Sequence, residues 1–264
     1  MSKFVRPTCT IHYDDVGRGG PPLVFLHGWC DDAYSWESTV AEFSKTHRCI
    51  VPEMRGHGRS SMPRDHAYFP EALSGDVVAL CESIGAEKPV LVGHSFGGFL
   101  AAEIVRRFPD FARAAVIEDQ PLDLLGFHAQ MSTVEEAIRS AETHLAFREQ
   151  LERSLMTPAM PAEVGNELVA HAARTPVEVG QALWAALFEY TADELRERGN
   201  ADMAAQATLP VQLIDGQEPP GYYAELRAVA PGVRIAVLDC GHWTHLERPG
   251  GFRKTLREFL SALS

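Results

Sequence analysis

The stretch Val90-Leu91-Val92-Gly93-His94-Ser95-Phe96-Gly97-Gly98 decides how the rest of the chain is read. A short β-branched apolar run ends in G-x-S-x-G and passes directly into the helical pattern of Phe99 to Phe108, which puts Ser95 on a sharp turn between strand and helix. Such a turn strains the backbone and projects the hydroxyl from the sheet edge. The flanking glycines let helix and strand cross closely, and the helix N-terminus favours developing negative charge. The competing reading is a glycine-rich turn whose serine merely caps the helix. It has less to recommend it once strand and helix are both in place.

Outward from the elbow, β-branched runs alternate with amphipathic ones. Thr10 to Tyr13, the turn Gly17-Arg18-Gly19-Gly20 and Leu23-Val24-Phe25-Leu26 read as a hairpin entering a sheet. Cys49-Ile50-Val51, Val90-Leu91-Val92, Ala114 to Ile117, Val211 to Ile214 and Arg234 to Leu238 supply further strands, most of them continuously apolar as central parallel strands should be. Glu71 to Ile84, Phe99 to Phe108 and Phe252 to Leu263 are helices that cover the sheet. The alternation predicts an α/β, doubly wound, mostly parallel sheet. From about Leu122 to Ala207 the rhythm breaks into helix alone, with Thr133 to Glu152 and Val177 to Glu197 separated by Thr157-Pro158-Ala159-Met160-Pro161 and Thr175-Pro176. Residues 1–121 and 208–264 are therefore read as one core, and 122–207 as a helical lid of two hairpins inserted after the sixth strand.

Composition narrows the function classes. With 264 residues, 45% apolar and 23% charged, the chain is long enough for one sizeable core and is neither disordered nor collagenous. A net charge of −12 argues against nucleic acid and anionic membrane as partners. Five cysteines, Cys9, Cys30, Cys49, Cys81 and Cys240, contain no C-x-x-C pair, so neither a disulfide framework nor a thiolate metal site is expected. Met1 to Pro7 lacks an apolar h-region and no run approaches the ~18 apolar residues of a membrane span. A cytoplasmic protein, monomer or homodimer, is expected. No phosphate loop, dinucleotide fingerprint or metal cluster is found, and no cofactor is expected.

Ser95 needs a base, and eleven histidines compete. His242, in Asp239-Cys240-Gly241-His242-Trp243-Thr244-His245, follows the last strand, where a loop brings an imidazole over the serine from the carboxyl edge of the sheet. His245 makes a His-x-x-His spacing with it, but no third ligand is evident and a structural role fits better. His27 and His57 lie in glycine turns, where bonding to loop backbone is favoured over substrate contact.

These motifs in order (His27-Gly28-Trp29, Arg55-Gly56-His57-Gly58-Arg59-Ser60, the Ser95 elbow and Gly241-His242) resemble the α/β-hydrolase fold superfamily over nearly the whole chain. The resemblance implies eight strands and an oxyanion hole made by the backbone N–H groups of Trp29 and Phe96. It also implies an acid three residues after Gly216, where this chain has Pro219, so the acid is sought elsewhere. Asp119, directly after the strand Ala114 to Ile117, is the first candidate, with Glu118 and Glu218 as understudies. The predicted triad is Ser95-His242-Asp119. Phe127, Met131, Phe147, Met156, Met160, Trp184, Phe188 and Tyr190 make an apolar set suited to a small hydrophobic or aromatic substrate. The pocket candidates are His27, Trp29, Phe127, Met131, Met156, Trp184, Phe188 and Trp243.

The implied activity is cofactor-independent hydrolysis of an ester, lactone or amide through an acyl-enzyme. A rival is a cofactor-free ring-cleaving dioxygenase of a 3-hydroxy-4-quinolone, using His242 and Asp119 as base. Gly28-Trp29-Cys30, Val51-Pro52 and Glu218-Pro219 with Tyr222 or Tyr223 are similar to that group, whereas Phe96, His27 and Asp31 depart from it. A non-catalytic ligand sensor is the third reading. Epoxide hydrolases and haloalkane dehalogenases share the Gly241-His242-Trp243 style of loop but need a carboxylate nucleophile, against which Ser95 argues.

Overall fold

The continuously apolar strands find both their faces covered. A computed structural model describes residues 2–263. Its sheet holds β1 (Ser2–Val5), β2 (Thr10–Val16), β3 (Leu23–Leu26), β4 (Cys49–Pro52), β5 (Val90–His94), β6 (Ala114–Glu118), β7 (Val211–Asp215) and β8 (Arg234–Val237). The strands run in the order β1-β2-β4-β3-β5-β6-β7-β8. The pairs β1/β2 and β2/β4 are antiparallel and all the others parallel.

Side chains alternate between two cores. Leu23, Phe25, Val90, Val92 and Val116 enter a cluster with Trp36, Phe43 of α1 (Glu37–Phe43) and the face Phe252, Leu256, Phe259 of the C-terminal helix. Val24, Leu26, Leu91, Ala115 and Ile117 enter the opposite one with Leu73 and Val77 of α2 (Pro70–Ser83) and Leu100 and Ile104 of α3 (Phe96–Arg107). Period-2 alternation with both faces buried is what makes these strands read as unbroken apolar runs.

One expectation is corrected. The segments Thr10 to Tyr13 and Leu23 to Leu26 do not form a hairpin: β4 lies between them, antiparallel to β2 and parallel to β3. The glycine loop instead steps over the start of β4, where the Arg48 amide donates to the Gly19 carbonyl at 3.2 Å. A fully apolar strand such as β3 needs neighbours on both edges, and a hairpin with β2 would have used one of them on a partly exposed strand. Ser2–Val5, which was not among the strand candidates, is the edge strand β1.

Between β6 and β7 the described chain is helical: α4 (Leu124–Met131), α5 (Glu135–Arg139), α6 (His144–Leu155), α7 (Ala162–Ala172), α8 (Val177–Glu189) and α9 (Ala192–Ala205). The two long helical stretches expected here are each split, at Ser140 to Thr143 and at Tyr190-Thr191. At the second break Thr191 and Glu194 form a capping box, satisfying two amides that a continuous helix would not have freed. Helices α10 (Tyr222–Val229), α11 (Thr244–Glu247) and α12 (Pro249–Ser261) complete the chain. No described helix is long and apolar enough to cross a membrane. All five cysteines are buried free thiols.

The α3 N-terminus is pressed onto the end of β3. A Cβ on Gly97 would lie 2.2 Å from the Leu26 carbonyl oxygen and 2.6 Å from that of His27. Both obstacles are backbone and cannot swing away. Gly97→Ala is therefore expected to cost about 3 kcal/mol or more of stability, read as a lowered urea midpoint at unchanged slope.

Candidate active site

Ser95 stands between β5 and α3 with φ +50° and ψ −123°, a conformation L-residues rarely adopt. Its amide donates to the Glu118 carbonyl at 2.9 Å, and its carbonyl accepts from Gly98 and Phe99, so the strain is held by bonds on both sides. Gly28 approaches so closely that a Cβ there would lie 3.4 Å from the Ser95 Cβ. That contact brings the loop carrying the Trp29 amide beside the first turn of α3, which begins with the Phe96 amide.

Asp119, at the end of β6, also has a positive φ, +47°. Its Oδ2 lies 2.6 Å from His242 Nδ1, and its Oδ1 accepts the Gly216 amide at 2.8 Å. Its own amide donates to Asp215 Oδ1 at 3.1 Å, and Asp215 in turn accepts the Tyr223 hydroxyl at 2.7 Å. Burial, with the Asp119 charge a lesser cause, pushes the Asp215 carboxyl up to about 7. The understudies are placed elsewhere. Glu118 is fully buried and accepts from the Thr244 hydroxyl (2.6 Å), the His245 amide (2.9 Å) and His245 Nδ1 (2.8 Å), while Glu218 is exposed. His245 stacks on Trp36 at 4.1 Å and is part of the fold. Glu118→Gln leaves these three donors with a weaker acceptor, and a loss of about 3 kcal/mol, seen as a lowered thermal midpoint, is expected.

The His242 loop is tied from several sides. Its carbonyl lies 3.1 Å from Nε2 of His94, and its amide donates to the Leu155 carbonyl of α6 at 3.1 Å. Nε2 of His94 must carry the proton to donate to a carbonyl, and burial holds that imidazole well below its usual range, hence neutral. Glu247 accepts the Gly241 amide at 2.9 Å and the Thr157 amide at 3.1 Å, and also the Thr157 hydroxyl. Sequence reading missed His94, Glu247, Leu155 and Thr157 as supports. For His94, the only local signal was its place beside Ser95.

Two cavities meet at Ser95. One, of about 90 Å³, is apolar and lined by Phe96, Phe99, Leu124, Leu183, Leu187 and Leu195. The other, of about 230 Å³, holds His242, Asp119 and Trp243 together with Asp31, Glu152 and Met131. Trp29, Phe127 and Trp184 border both. Of the expected pocket residues, His27, Met156 and Phe188 line neither cavity. His27 is fully buried: its Nε2 accepts the Met54 amide at 3.0 Å, which leaves Nδ1 to donate to the Gly28 carbonyl at 2.9 Å. Both ring nitrogens are thus spent on backbone. Met156 packs against Met160, Leu168 and Trp243 and borders an outer groove that reaches Asp119 and His242. Phe188 stacks on Trp184 at 6.3 Å, with the Arg139 guanidinium 5.2 Å from its ring centroid.

Comparison with known proteins places this geometry. Over 102 residues, 38% of the chain, it is 31% identical to Epoxide hydrolase 1 of Caenorhabditis elegans, of whose length it spans only 25%. It is 28% identical to an sn-1-specific diacylglycerol lipase of Mus musculus over 91% of this chain and 81% of that one. The structure is similar to the enol-lactonase from Burkholderia xenovorans, with a TM-score of 0.77, 20% identity and coverage of 96% and 97% of the two chains. A model of the α/β hydrolase fold matches residues 21–249, well over half the length, and the chain belongs to the α/β hydrolase fold family.

Proposed function

We propose that this chain is a cofactor-independent serine hydrolase of carboxylic esters or lactones. The reading is carried by the 2.6 Å contact of His242 Nδ1 with Asp119 in a cavity that also holds Ser95. His242 takes the Ser95 proton on Nε2 as Oγ attacks the carbonyl carbon. The oxyanion is held by the Trp29 and Phe96 amides, and Asp119 stabilises the imidazolium. His242 then passes the proton to the departing oxygen, leaving an acyl-enzyme. A water deprotonated by His242 releases the acid and restores Ser95.

The proton donor fixes the substrate's orientation. The leaving group must sit beside His242, in the larger cavity, and the acyl group in the apolar one. At about 90 Å³, that lobe is smaller than the ~150 Å³ that admits benzene in an engineered apolar cavity, so short acyl chains fit. The helical insertion, residues 122–207, acts as the lid: Phe127, Leu183 and Trp184 roof the cavities, and the Trp29 indole is tied to it by a 2.9 Å bond to the Gly180 carbonyl.

Support also comes from relatives named as a lipase and an enol-lactonase. The epoxide hydrolase relative points to the same fold, but Ser95 stands where opening an epoxide calls for a carboxylate. The test is intact-mass analysis after exposure to a fluorophosphonate, followed by p-nitrophenyl esters from acetate to octanoate. A single label on Ser95 and a maximum kcat/KM at butanoate or shorter are expected. An unlabelled folded protein would overturn the reading.

A further inference from the structure

The larger cavity holds a pair of acids that the proposed chemistry does not use. Asp31 lies in the loop after β3 and Glu152 in the last turns of α6; each is only 5% exposed, and both line the cavity with His242 and Trp243. Asp31 Oδ1 accepts the Asp32 amide at 2.8 Å and the Ser35 hydroxyl also acts on this carboxyl, whereas among the described residues Asp31 Oδ2 and Glu152 Oε2 have no hydrogen-bond partner. Unpaired carboxylate oxygens in a low-dielectric site are costly and call for an explanation.

The nearest cation does not supply one. Arg148, one turn before Glu152, directs Nη1 to the Cys30 sulfur at 3.3 Å and the Thr175 carbonyl at 3.0 Å; its charge acts on Glu152, but its Nη2 makes no hydrogen bond to either acid and it is not part of the cavity wall. With both acids ionised, the pair would carry more negative charge than the Arg148 guanidinium beside it balances, and burial disfavours the charged form of each. Burial, reinforced by the Asp31 charge, pushes the Glu152 carboxyl up to about 8, so with no further cation beside it the group keeps its proton at neutral pH. Among the described residues no group of three or more His, Cys, Asp or Glu side chains is placed to hold a metal ion. The remaining wall includes the aromatic side chains Trp29, Trp184 and Trp243, a residue type that attracts organic cations.

We infer that Asp31 and Glu152 form a binding site for a protonated amine carried on the leaving-group half of the substrate. The placement rests on the proposed hydrolysis, because it is His242 that assigns this cavity to the leaving group. The site itself, two acids each with one unpartnered oxygen and three indoles around one cavity, does not depend on that assignment. An entering ammonium gives each carboxylate a donor and balances the charge, with Glu152 releasing its proton as the amine binds. The net charge of −12 draws such cations toward the protein.

The test compares 2-(dimethylamino)ethyl butanoate, protonated at neutral pH, with its neutral isostere 3-methylbutyl butanoate. A charge-assisted hydrogen bond predicts that the wild type prefers the aminoalkyl ester by about tenfold or more in kcat/KM. In Asp31→Asn and Glu152→Gln the ratio should fall toward unity. Because it is internal to each variant, the ratio cancels any change in folded fraction or catalytic power. Equal kcat/KM in the wild type, or a preference that survives both substitutions, would overturn the inference. If neither ester is turned over, the proposed hydrolysis fails and the site is read by binding alone. In Ser95→Ala, calorimetric titration with 2-(dimethylamino)ethanol and with 3-methylbutanol should then show ammonium-selective binding that Glu152→Gln abolishes. Equal binding of the two would refute the site.

Discussion

Ser95→Ala is expected to lower kcat on a butanoate ester by about 10⁴–10⁶-fold while leaving the fold intact. The two halves of that expectation have separate physical grounds. The backbone at Ser95, φ +50° and ψ −123°, is held by the hydrogen bond its amide donates to the Glu118 carbonyl and by those its own carbonyl accepts, and alanine has the same Cβ, so neither strain nor packing changes much. The rate falls because water bound near His242 must replace an oxygen already positioned for attack. Stopped and steady-state assays with equal thermal midpoints check the pair. Activity retained within tenfold would remove Ser95 as nucleophile. Oxygen uptake with a hydroxyquinolone would then be the next measurement, since a His242-Asp119 base serves that chemistry without a covalent serine.

Asp119→Asn is expected to cost about 10⁴-fold in kcat. Asp119 Oδ2 accepts the proton on His242 Nδ1 at 2.6 Å, which leaves Nε2 free to act as base. A carboxamide can turn its NH₂ toward Nδ1, favouring the tautomer with the proton on Nε2, and it carries no charge to stabilise the imidazolium. The bond from the Gly216 amide to Oδ1 can persist on the amide oxygen, so stability should fall far less than rate. A matched Glu118→Gln variant separates the cases: it should lose stability through Thr244 and His245. If Asp119→Asn retains activity within tenfold, Asp119 is not the orienting acid.

Different parts of the site were legible to different degrees. Ser95 is announced by its own neighbours, because a G-x-S-x-G turn is a local backbone event. His242 follows from its place after the last strand. Asp119 could be reached only by elimination, since it is the side-by-side pairing of β6 and β7 that brings it to Gly216 and the His242 loop. His27 bonds loop backbone, as its glycine turn suggested, and is not a pocket residue; which backbone it serves was not legible, because its partner, the Met54 amide, comes from the loop after β4. The hairpin was misread for a related reason: sequence proximity of β2 and β3 says nothing about a later strand entering between them.

The sequence by itself determined a doubly wound α/β chain with a strained serine at a strand-to-helix turn, a histidine loop behind the last strand and a helical insertion between. Each of these depends on periodicity and turn chemistry within a dozen residues. Tertiary structure alone decided which acid meets His242, which backbone His27 serves, and that Asp31 and Glu152 share a cavity wall with unpaired oxygens. Hydrogen-bond partners and burial are properties of distant segments brought together, and no local pattern encodes which polar atoms will be left without a partner.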